Sequence, residues 1–226
     1  KKEGAQVGFV TSGMGLTKNR VSELIEAGLD FVGFSIAGTT PETHDAIRVN
    51  SHLSEIFNAI LLFNEEKLRQ RLDRPKMHLV FLMLKDNISE VPAVLSFAAE
   101  MGIKDVVLTN ICHCINVWQE AHRLFLWEKN ENEYEEIVKQ AEANAKKLNI
   151  RLKRASLCAI DVPVCEENPL RNLYISVEGE VSPCVYLNPP LTSPFKRIFC
   201  SKEYWVERVS FGNLFKEPFP SIWDGE

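Results

Sequence analysis

The sequence predicts an α/β fold in which parallel strands alternate with helices over most of the chain and a short β-hairpin lies near its end. Short apolar runs, typical of strands covered on both faces, alternate in the first half with segments whose apolar residues recur at helical spacing. Two segments, 26–35 and 100–109, place a helix end, a glycine stop and a buried strand in the same order. Such repeated units connect through right-handed crossovers, which indicates a parallel barrel or an open parallel sheet.

The first two predicted units each combine a buried strand with a helix that has recognisable end signals. A strand over Val7–Thr11 leads to an amphipathic helix that begins after Thr17 and stops at Gly28. A second strand over Phe31–Ile36 leads to a helix for which Thr40 provides the cap. Both units therefore follow the order strand, loop, helix.

Two further units continue the repeat. A helix over 54–71 precedes a strand over His78–Leu84, whose lack of polar alternation is typical of a parallel strand. Ser89 is expected to cap a helix that ends before Gly102, and the next strand covers Asp105–Thr109.

After Arg154 the alternation of strands and helices gives way to a segment that contains Cys158 and Cys165 and leads into a predicted hairpin. We therefore predict a β/α core over residues 1–154 and a separate segment over 155–226. In that segment, Asn172–Val177 and Val181–Cys184 flank a Glu-Gly turn that suits a hairpin.

Composition and charge exclude several classes of protein. The 226 residues carry a formal net charge of −5 with a pI near 5.7, and Lys and Arg form no basic stripe for nucleic acid. No apolar run approaches the roughly 18 residues that cross a bilayer. No secretory segment follows the first residues. We therefore expect a soluble, cytoplasmic protein that binds neither nucleic acid nor membrane.

The ends of the predicted strands locate the candidate site. Parallel β/α folds bind ligands at the carboxyl ends of their strands, because helix N-termini and free backbone groups converge there. The residues at these ends are Thr11, Ser12, Gly13, Ser35, Ala37, Gly38, Met83, Leu84, Thr109 and Asn110. Serine and threonine are also ordinary residues of turns and caps, so the shared position indicates the site more than any single residue does.

The six cysteines, all in the second half, favour metal ligation or redox chemistry over a secreted disulfide scaffold. Cys158, Cys165 and Cys184 surround the predicted hairpin, which would be marginal alone and could be held by thiolates on a metal or an iron–sulfur cluster. Zinc and iron–sulfur clusters take four protein ligands, and these cysteines supply fewer. Cys200 is expected to be a buried structural thiol. Cys112 and Cys114 flank an imidazole directly after a predicted strand and could bind a metal or line a pocket, and direct ligation of one ion by both is disfavoured.

Short motifs in both halves match a known pattern. In the first half they are Thr11-Ser12-Gly13, Ser35-Ile-Ala-Gly38, Glu42-Thr-His-Asp-Ala-Ile-Arg48 and Lys85-Asp-Asn-Ile88. In the second half they are Cys165, Gly179 and Cys184 at their spacing, then Phe211-Gly-Asn-Leu-Phe215 and Ser221-Ile-Trp223. Together they resemble the radical S-adenosylmethionine (SAM) enzymes with a C-terminal SPASM domain. The corresponding first-half motifs of that family are Thr-Asn-Gly, Ser-Leu-Asp-Gly, Glu-x-His-Asp-x-Ile-Arg and Lys-x-Asn-Ile.

The resemblance implies a partial parallel (β/α) barrel of the radical SAM type, followed by the start of a SPASM/twitch segment. The family holds a [4Fe–4S] cluster and SAM, with one or two auxiliary clusters in the SPASM domain. Reductive cleavage of SAM there yields a 5′-deoxyadenosyl radical that abstracts hydrogen from the substrate. The resemblance thus implies a radical SAM oxidoreductase or maturase, with a peptide or protein as substrate and an external electron donor as partner.

Site residues carry over by the same resemblance. Those expected to contact SAM are Thr11, Ser12, Ser35, Gly38, Arg48 and Asn110, and those expected to ligate the first auxiliary cluster are Cys158, Cys165 and Cys184. Ser35 would be a polar contact, and Arg48 would bind the carboxylate of SAM, which suits its planar fork of donors. Arg48 could instead complement a helix dipole. No residue of the chain is assigned a catalytic role, and the Cys112–Trp127 segment is the expected substrate-facing wall.

Several departures from the family leave alternatives open. The family's Cys-x3-Cys-x2-Cys triplet, which holds the radical-generating cluster, is absent, so we expect a fragment truncated at both ends, with the strand near Val7 left at an edge. Ala37 stands where the family commonly has Asp. The alternatives are a non-catalytic module that binds clusters or peptides, and a zinc-stapled β/α protein. A cysteine triplet upstream of the chain would favour the enzyme.

Overall fold

The computed structural model of the chain describes residues 4–111, 113–126, 133–165 and 167–224. The chain forms two compact units. The first consists of Lys1–Ile111, His122–Leu126 and Asn130–Cys158, and the second of Cys112–Ala121, Trp127–Lys129 and Ala159–Glu226.

A five-stranded parallel sheet forms the centre of the first unit, which confirms the predicted α/β class. Its strands, which are neighbours in chain order, are β1 (Gly8–Thr11), β2 (Phe31–Ile36), β3 (Lys76–Met83), β4 (Asp105–Asn110) and β5 (Arg151–Arg154). β1 lies at an edge of this sheet, as expected for the strand near Val7. β5 was not predicted, because its Arg-Leu-Lys-Arg sequence lacks the apolar run that marks a covered strand.

Helices follow the strands in the order that the end signals predict. They are α1 (Lys18–Glu26), α2 (Pro41–Ile47), α3 (Leu53–Gln70), α4 (Val91–Glu100), α5 (Val117–His122) and α6 (Glu135–Lys147). The side chain of Thr17 accepts a hydrogen bond from the backbone of α1, and the side chain of Thr40 does the same for α2. Ser89 is not the cap of α4, because residues 88–90 form a 3-10 turn and Glu90 precedes the helix.

The core of the first unit lies between the sheet and its helices. Alternate residues of β3, Leu79, Phe81 and Met83, are fully buried, and Phe34 of β2 meets Phe63 of α3 edge to face with ring centroids 5.9 Å apart. This packing holds the carboxyl ends of β2 and β3 in place, which is where the candidate site lies.

The second unit contains two small antiparallel sheets. Their strands are β6 (Tyr174–Ile175), β7 (Glu180–Ser182), β8 (Phe195–Phe199), β9 (Lys202–Val206) and β10 (Gly212–Asn213), followed by a short helix, α7 (Phe219–Asp224). β6 and β7 form the predicted hairpin, although its strands are shorter than predicted, and β10 adds to β7 on the other side. The second sheet is the hairpin of β8 and β9, which the sequence did not indicate.

The prediction that Cys200 is a buried structural thiol is wrong. Cys200 lies between β8 and β9, is exposed, and has a φ of 48°. The aromatic residues around it suggested burial, but a hairpin tip with a left-handed backbone turns its side chain away from any core.

Among the helices that the structure describes, none combines the length and apolar character required to cross a membrane.

Candidate functional site

The structure brings two of the predicted SAM contacts together at the end of β2. Ser35 is half-buried in that strand, and Arg48 caps the C-terminus of α2. Arg48 Nη1 donates a hydrogen bond of 2.7 Å to Ser35 Oγ. Burial lowers the pKa of Arg48, but a guanidinium is still charged at neutral pH. A charged fork is thus fixed at the sheet edge where parallel β/α folds bind ligands.

The backbone that follows β2 is held from two sides. The N–H of Ala37 donates to Nδ1 of His44 over 3.2 Å, and the carbonyl of Ala37 accepts from Nδ2 of Asn87 over 2.8 Å. Ala37 itself is fully buried. At the next position a Cβ would lie 2.6 Å from the backbone N of His44, so only Gly38 permits this approach of the loop to α2. Gly38 therefore serves packing in this structure, and its contact to SAM stays a prediction.

Glu90 binds Thr39, the residue that follows Gly38. Both the N–H and the hydroxyl of Thr39 donate to Glu90 Oε2, at 2.5 and 2.7 Å. Burial acts to raise the pKa of Glu90, but the hydrogen bonds from Thr43 and Thr39 outweigh it and lower the pKa below the ordinary value. Glu90 is therefore ionised near neutral pH and accepts strongly.

His44, Asn87 and Glu90 were not among the predicted site residues. Two of them could have been found, since His44 lies in the Glu42–Arg48 motif and Asn87 in the Lys85–Ile88 motif. Their partners could not, because a motif names a residue type and says nothing about which backbone atom it binds.

Two other predicted SAM contacts, Thr11 and Asn110, make side-chain hydrogen bonds with backbone atoms of the chain itself. Thr11 Oγ1 accepts from the N–H of Gly13 at 3.0 Å, and Asn110 Nδ2 donates to the carbonyl of Ser156 at 2.5 Å. Gly13 has a φ of 80°, and a Cβ there would lie 2.9 Å from Cα of Ile56 in α3. Ser12 is half-buried beside it. These residues lie at carboxyl ends of β1 and β4, and their contacts with SAM stay predictions.

The predicted cluster ligands are cysteines, whose thiolates are the usual ligands of iron–sulfur clusters. Cys158, Cys165 and Cys184 are free thiols, which is the form that thiolate ligation requires. Cys158 ends the first unit, whereas the other two belong to the second. Within the described ranges, no group of three or more His, Cys, Asp or Glu side chains could hold a metal ion. The assignment of these cysteines to an auxiliary cluster stays a prediction, and no chemical step is derived through it.

A third strand supports the hairpin between Cys165 and Cys184. Asn213 of β10 is buried, and its Nδ2 donates to the carbonyl of Glu178 at 3.0 Å and to Glu180 Oε1 at 2.7 Å. Gly179, with a φ of 83°, accepts from the N–H of Leu214 at 2.9 Å. The hairpin turn is therefore fixed by side-chain hydrogen bonds from β10 and by a main-chain hydrogen bond from the residue that follows it.

The predicted substrate-facing wall is described only in part. Cys112 and Trp127, which bound it, lie outside the described residues. Between them, Cys114 is fully buried and its carbonyl accepts from the N–H of Ile198. The imidazole of His113 packs on Tyr186 with ring centroids 4.1 Å apart. These contacts show that Cys114 and His113 take part in packing within the second unit. The contact of the segment with substrate stays a prediction.

Comparisons with known proteins bear on both units. Residues 1–98 match the model of the radical SAM superfamily, and residues 165–226 match that of SPASM, an iron–sulfur cluster-binding domain. The tungsten-containing aldehyde ferredoxin oxidoreductase cofactor-modifying protein of Pyrococcus furiosus is 22% identical over 228 residues, covering 100% of this chain and 61% of that protein. The PqqA peptide cyclase of Rhizobium meliloti is 46% identical over 44 residues, or 20% of this chain and 12% of that protein.

Solved structures of Streptococcus suis SuiB share the fold. SuiB and SuiB bound to S-adenosylmethionine each give a TM-score of 0.61, with 11% and 12% identity, and SuiB bound to precursor peptide SuiA gives 0.60 with 12%. Each comparison covers 96% of this chain and 47% or 48% of the SuiB chain. The chain thus spans about half of the SuiB chain and about three fifths of the Pyrococcus protein.

Proposed function

Because the chain belongs to the radical SAM superfamily and carries a SPASM iron–sulfur cluster-binding domain, we propose that its protein is a radical SAM maturase that abstracts hydrogen from a peptide or protein. The observation that carries this proposal is the Arg48–Ser35 pair at the carboxyl end of β2. Similarity to a peptide cyclase, and to a structure solved with a precursor peptide, supports a peptide as the substrate. An external electron donor and a cytoplasmic location complete the proposal.

The residues at the sheet edge fit the amino-acid end of SAM. When bound beside a reduced [4Fe–4S] cluster, SAM would supply the radical that takes hydrogen from the substrate. Arg48 carries a positive fork that can bind a carboxylate with two parallel hydrogen bonds. The 2.7 Å bond to Ser35 uses one of the five guanidinium donors and holds the fork at the strand end. Arg48 therefore binds the carboxylate, and Ser35 orients Arg48.

The second unit supplies candidate ligands for an auxiliary cluster. Cys165 begins the SPASM match, and Cys184 follows the hairpin within it. Both are free thiols, one exposed and one half-buried. We assign them, with Cys158, as thiolate ligands, whose negative charge and softness suit iron–sulfur clusters.

The test uses the full-length gene product that contains this chain, purified and reconstituted without oxygen. We expect iron and sulfide in the protein, and 5′-deoxyadenosine when SAM and dithionite are added. A colourless protein that holds zinc and no iron would overturn the assignment of an iron–sulfur protein. Iron–sulfur absorption without any 5′-deoxyadenosine would show instead a module that binds clusters and does not react.

The substrate class is tested separately. Short open reading frames beside the gene are expressed as peptides and incubated with the enzyme, SAM and dithionite. We expect one peptide to lose mass in units of hydrogen or gain a crosslink, and the Arg48→Lys variant to reduce that product. Turnover of a small molecule with no peptide modified would refute the peptide assignment and leave the radical chemistry standing.

A further inference from the structure

Three polar side chains from different parts of the first unit bind the backbone of the same segment, residues 37–39. His44 comes from α2, Asn87 from the loop after β3, and Glu90 from the turn before α4. We propose that these are positioning residues, which fix segment 37–39 and α2 against β2 so that Arg48 stays at Ser35. The proposal rests on the function proposed above, because it concerns how the same site is held.

His44 makes two buried hydrogen bonds with fixed directions. It is 0% exposed, its Nδ1 lies 3.2 Å from the N–H of Ala37, and its Nε2 lies 3.1 Å from Ser51 Oγ. An amide N–H can only donate, so Nδ1 must accept and Nε2 must carry the proton of a neutral ring. Burial first, and then the charge of Arg48, lower the pKa of His44, which keeps the ring neutral near pH 7.

Asn87 uses its whole amide to join the ends of β2 and β3. Nδ2 donates to the carbonyls of Ala37 and Leu82, each at 2.8 Å, and Oδ1 accepts from the N–H of Leu84 at 2.7 Å. The residue is 0% exposed. A buried amide with every group paired gives a specific geometry, because any displacement leaves a polar group unsatisfied.

The hydrogen bonds of His44, Asn87 and Glu90 to segment 37–39 affect Arg48 through α2. The helix has 7 residues, is separated from segment 37–39 only by its cap Thr40, and is followed by Arg48, whose N–H donates to the carbonyl of His44 at 2.9 Å. A helix this short is marginal without tertiary contacts, so the bonds to segment 37–39 decide where its end lies. Segment 37–39 follows Ser35 by two residues. Ser35 itself is held in β2 by its pairing with β3, so the three side chains fix where Arg48 lies relative to Ser35.

Two substitutions of His44 separate its two bonds. The amide oxygen of asparagine can take the place of Nδ1, so His44→Asn keeps an acceptor for the N–H of Ala37 and loses the bond to Ser51. The longer glutamine reaches the place of Nε2, so His44→Gln keeps the bond to Ser51 and leaves the N–H of Ala37 without a partner. Both substitutions remove the ring, which makes each the control for the other.

SAM affinity and amide exchange are measured on the reconstituted full-length protein. By titration calorimetry, we expect the Kd for SAM to rise about 10-fold in His44→Gln and to stay within about 3-fold in His44→Asn. By hydrogen-exchange mass spectrometry without SAM, we expect residues 37–48 to exchange about 10-fold faster in His44→Gln only. Equal effects of the two variants on both measurements would overturn the positioning assignment, since they would report only the loss of a buried ring.

A surface variant covers the case in which His44 variants do not fold. Glu90 is only half-buried, and Glu90→Ala removes the acceptor of both Thr39 donors without emptying the core. We expect Glu90→Ala to raise the Kd for SAM about 3-fold and to speed exchange over 37–48, and Glu90→Gln to restore both. Wild-type values for Glu90→Ala would overturn the assignment. If wild-type protein fails to bind SAM, the proposed function is wrong, and the exchange comparison still decides the positioning claim.

Discussion

Replacing Arg48 by lysine keeps its positive charge and removes the planar fork, so it isolates the geometry of the predicted carboxylate contact. In the structure, Arg48 Nη1 donates to Ser35 Oγ at 2.7 Å, a short bond from a charged donor. Hydrogen bonds to charged groups contribute about 1.5–3 kcal/mol each. Lysine retains the Coulombic attraction to a carboxylate, so we expect a loss near the lower part of that range.

A loss of about 2 kcal/mol corresponds to a rise of roughly 30-fold in the Kd for SAM. Titration calorimetry on the anaerobically reconstituted full-length protein measures it. The matched control is Arg151→Lys. Arg151 lies at the amino end of β5, whereas the candidate site lies at the carboxyl ends of the strands, and it pairs on the surface with Asp105. We expect no change in Kd for the control. A Kd within about 2-fold of wild type for Arg48→Lys would refute the carboxylate contact.

Three further predictions concern stability and ligation. Asn213→Ala removes both side-chain hydrogen bonds to the hairpin turn, and we expect a loss of about 2 kcal/mol in the free energy of unfolding, measured by urea denaturation. Hydrogen bonds from Arg69 and then Gln70 lower the pKa of Glu66 to about 2. Because the folded pKa lies below the unfolded one, its contribution is present above about pH 4.5 and is lost as pH falls towards 2. The stability difference between wild type and Glu66→Gln should therefore shrink over that range. Cys165→Ala and Cys184→Ala should each lower the iron content after reconstitution.

The controls for these predictions come from the same chain. Asn172 is exposed and donates one hydrogen bond to the carbonyl of Glu167, so Asn172→Ala should cost less than Asn213→Ala, and equal losses would contradict the locking of the turn. A stability difference for Glu66→Gln that stays constant down to pH 2 would contradict the lowered pKa. Cys200→Ala alters a thiol at a hairpin tip and should leave iron unchanged. Iron loss in Cys200→Ala equal to that in Cys165→Ala would contradict the ligand assignment.

Local signals in the sequence predicted most of the first unit. β1 to β4 and their helices follow from apolar runs, helical spacing and caps such as Thr17 and Thr40, all of which act between residues near in the chain. Where a strand has a polar sequence or no clear pattern, it was not predicted, as for β5 and for the hairpin of β8 and β9. The exposure of Cys200 depends on that unpredicted hairpin.

The sequence by itself determined the parallel α/β class, the family motifs, and the choice of Ser35 and Arg48 as a pair of candidate contacts. Only the tertiary structure decided that Arg48 reaches Ser35, and that His44, Asn87 and Glu90 hold the segment between them. Asn87 and Glu90 bind backbone that lies 50 and 51 residues away in the chain. Such bonds depend on which strands are neighbours and on their register, and that information is carried by the packed core and not by any short stretch of sequence.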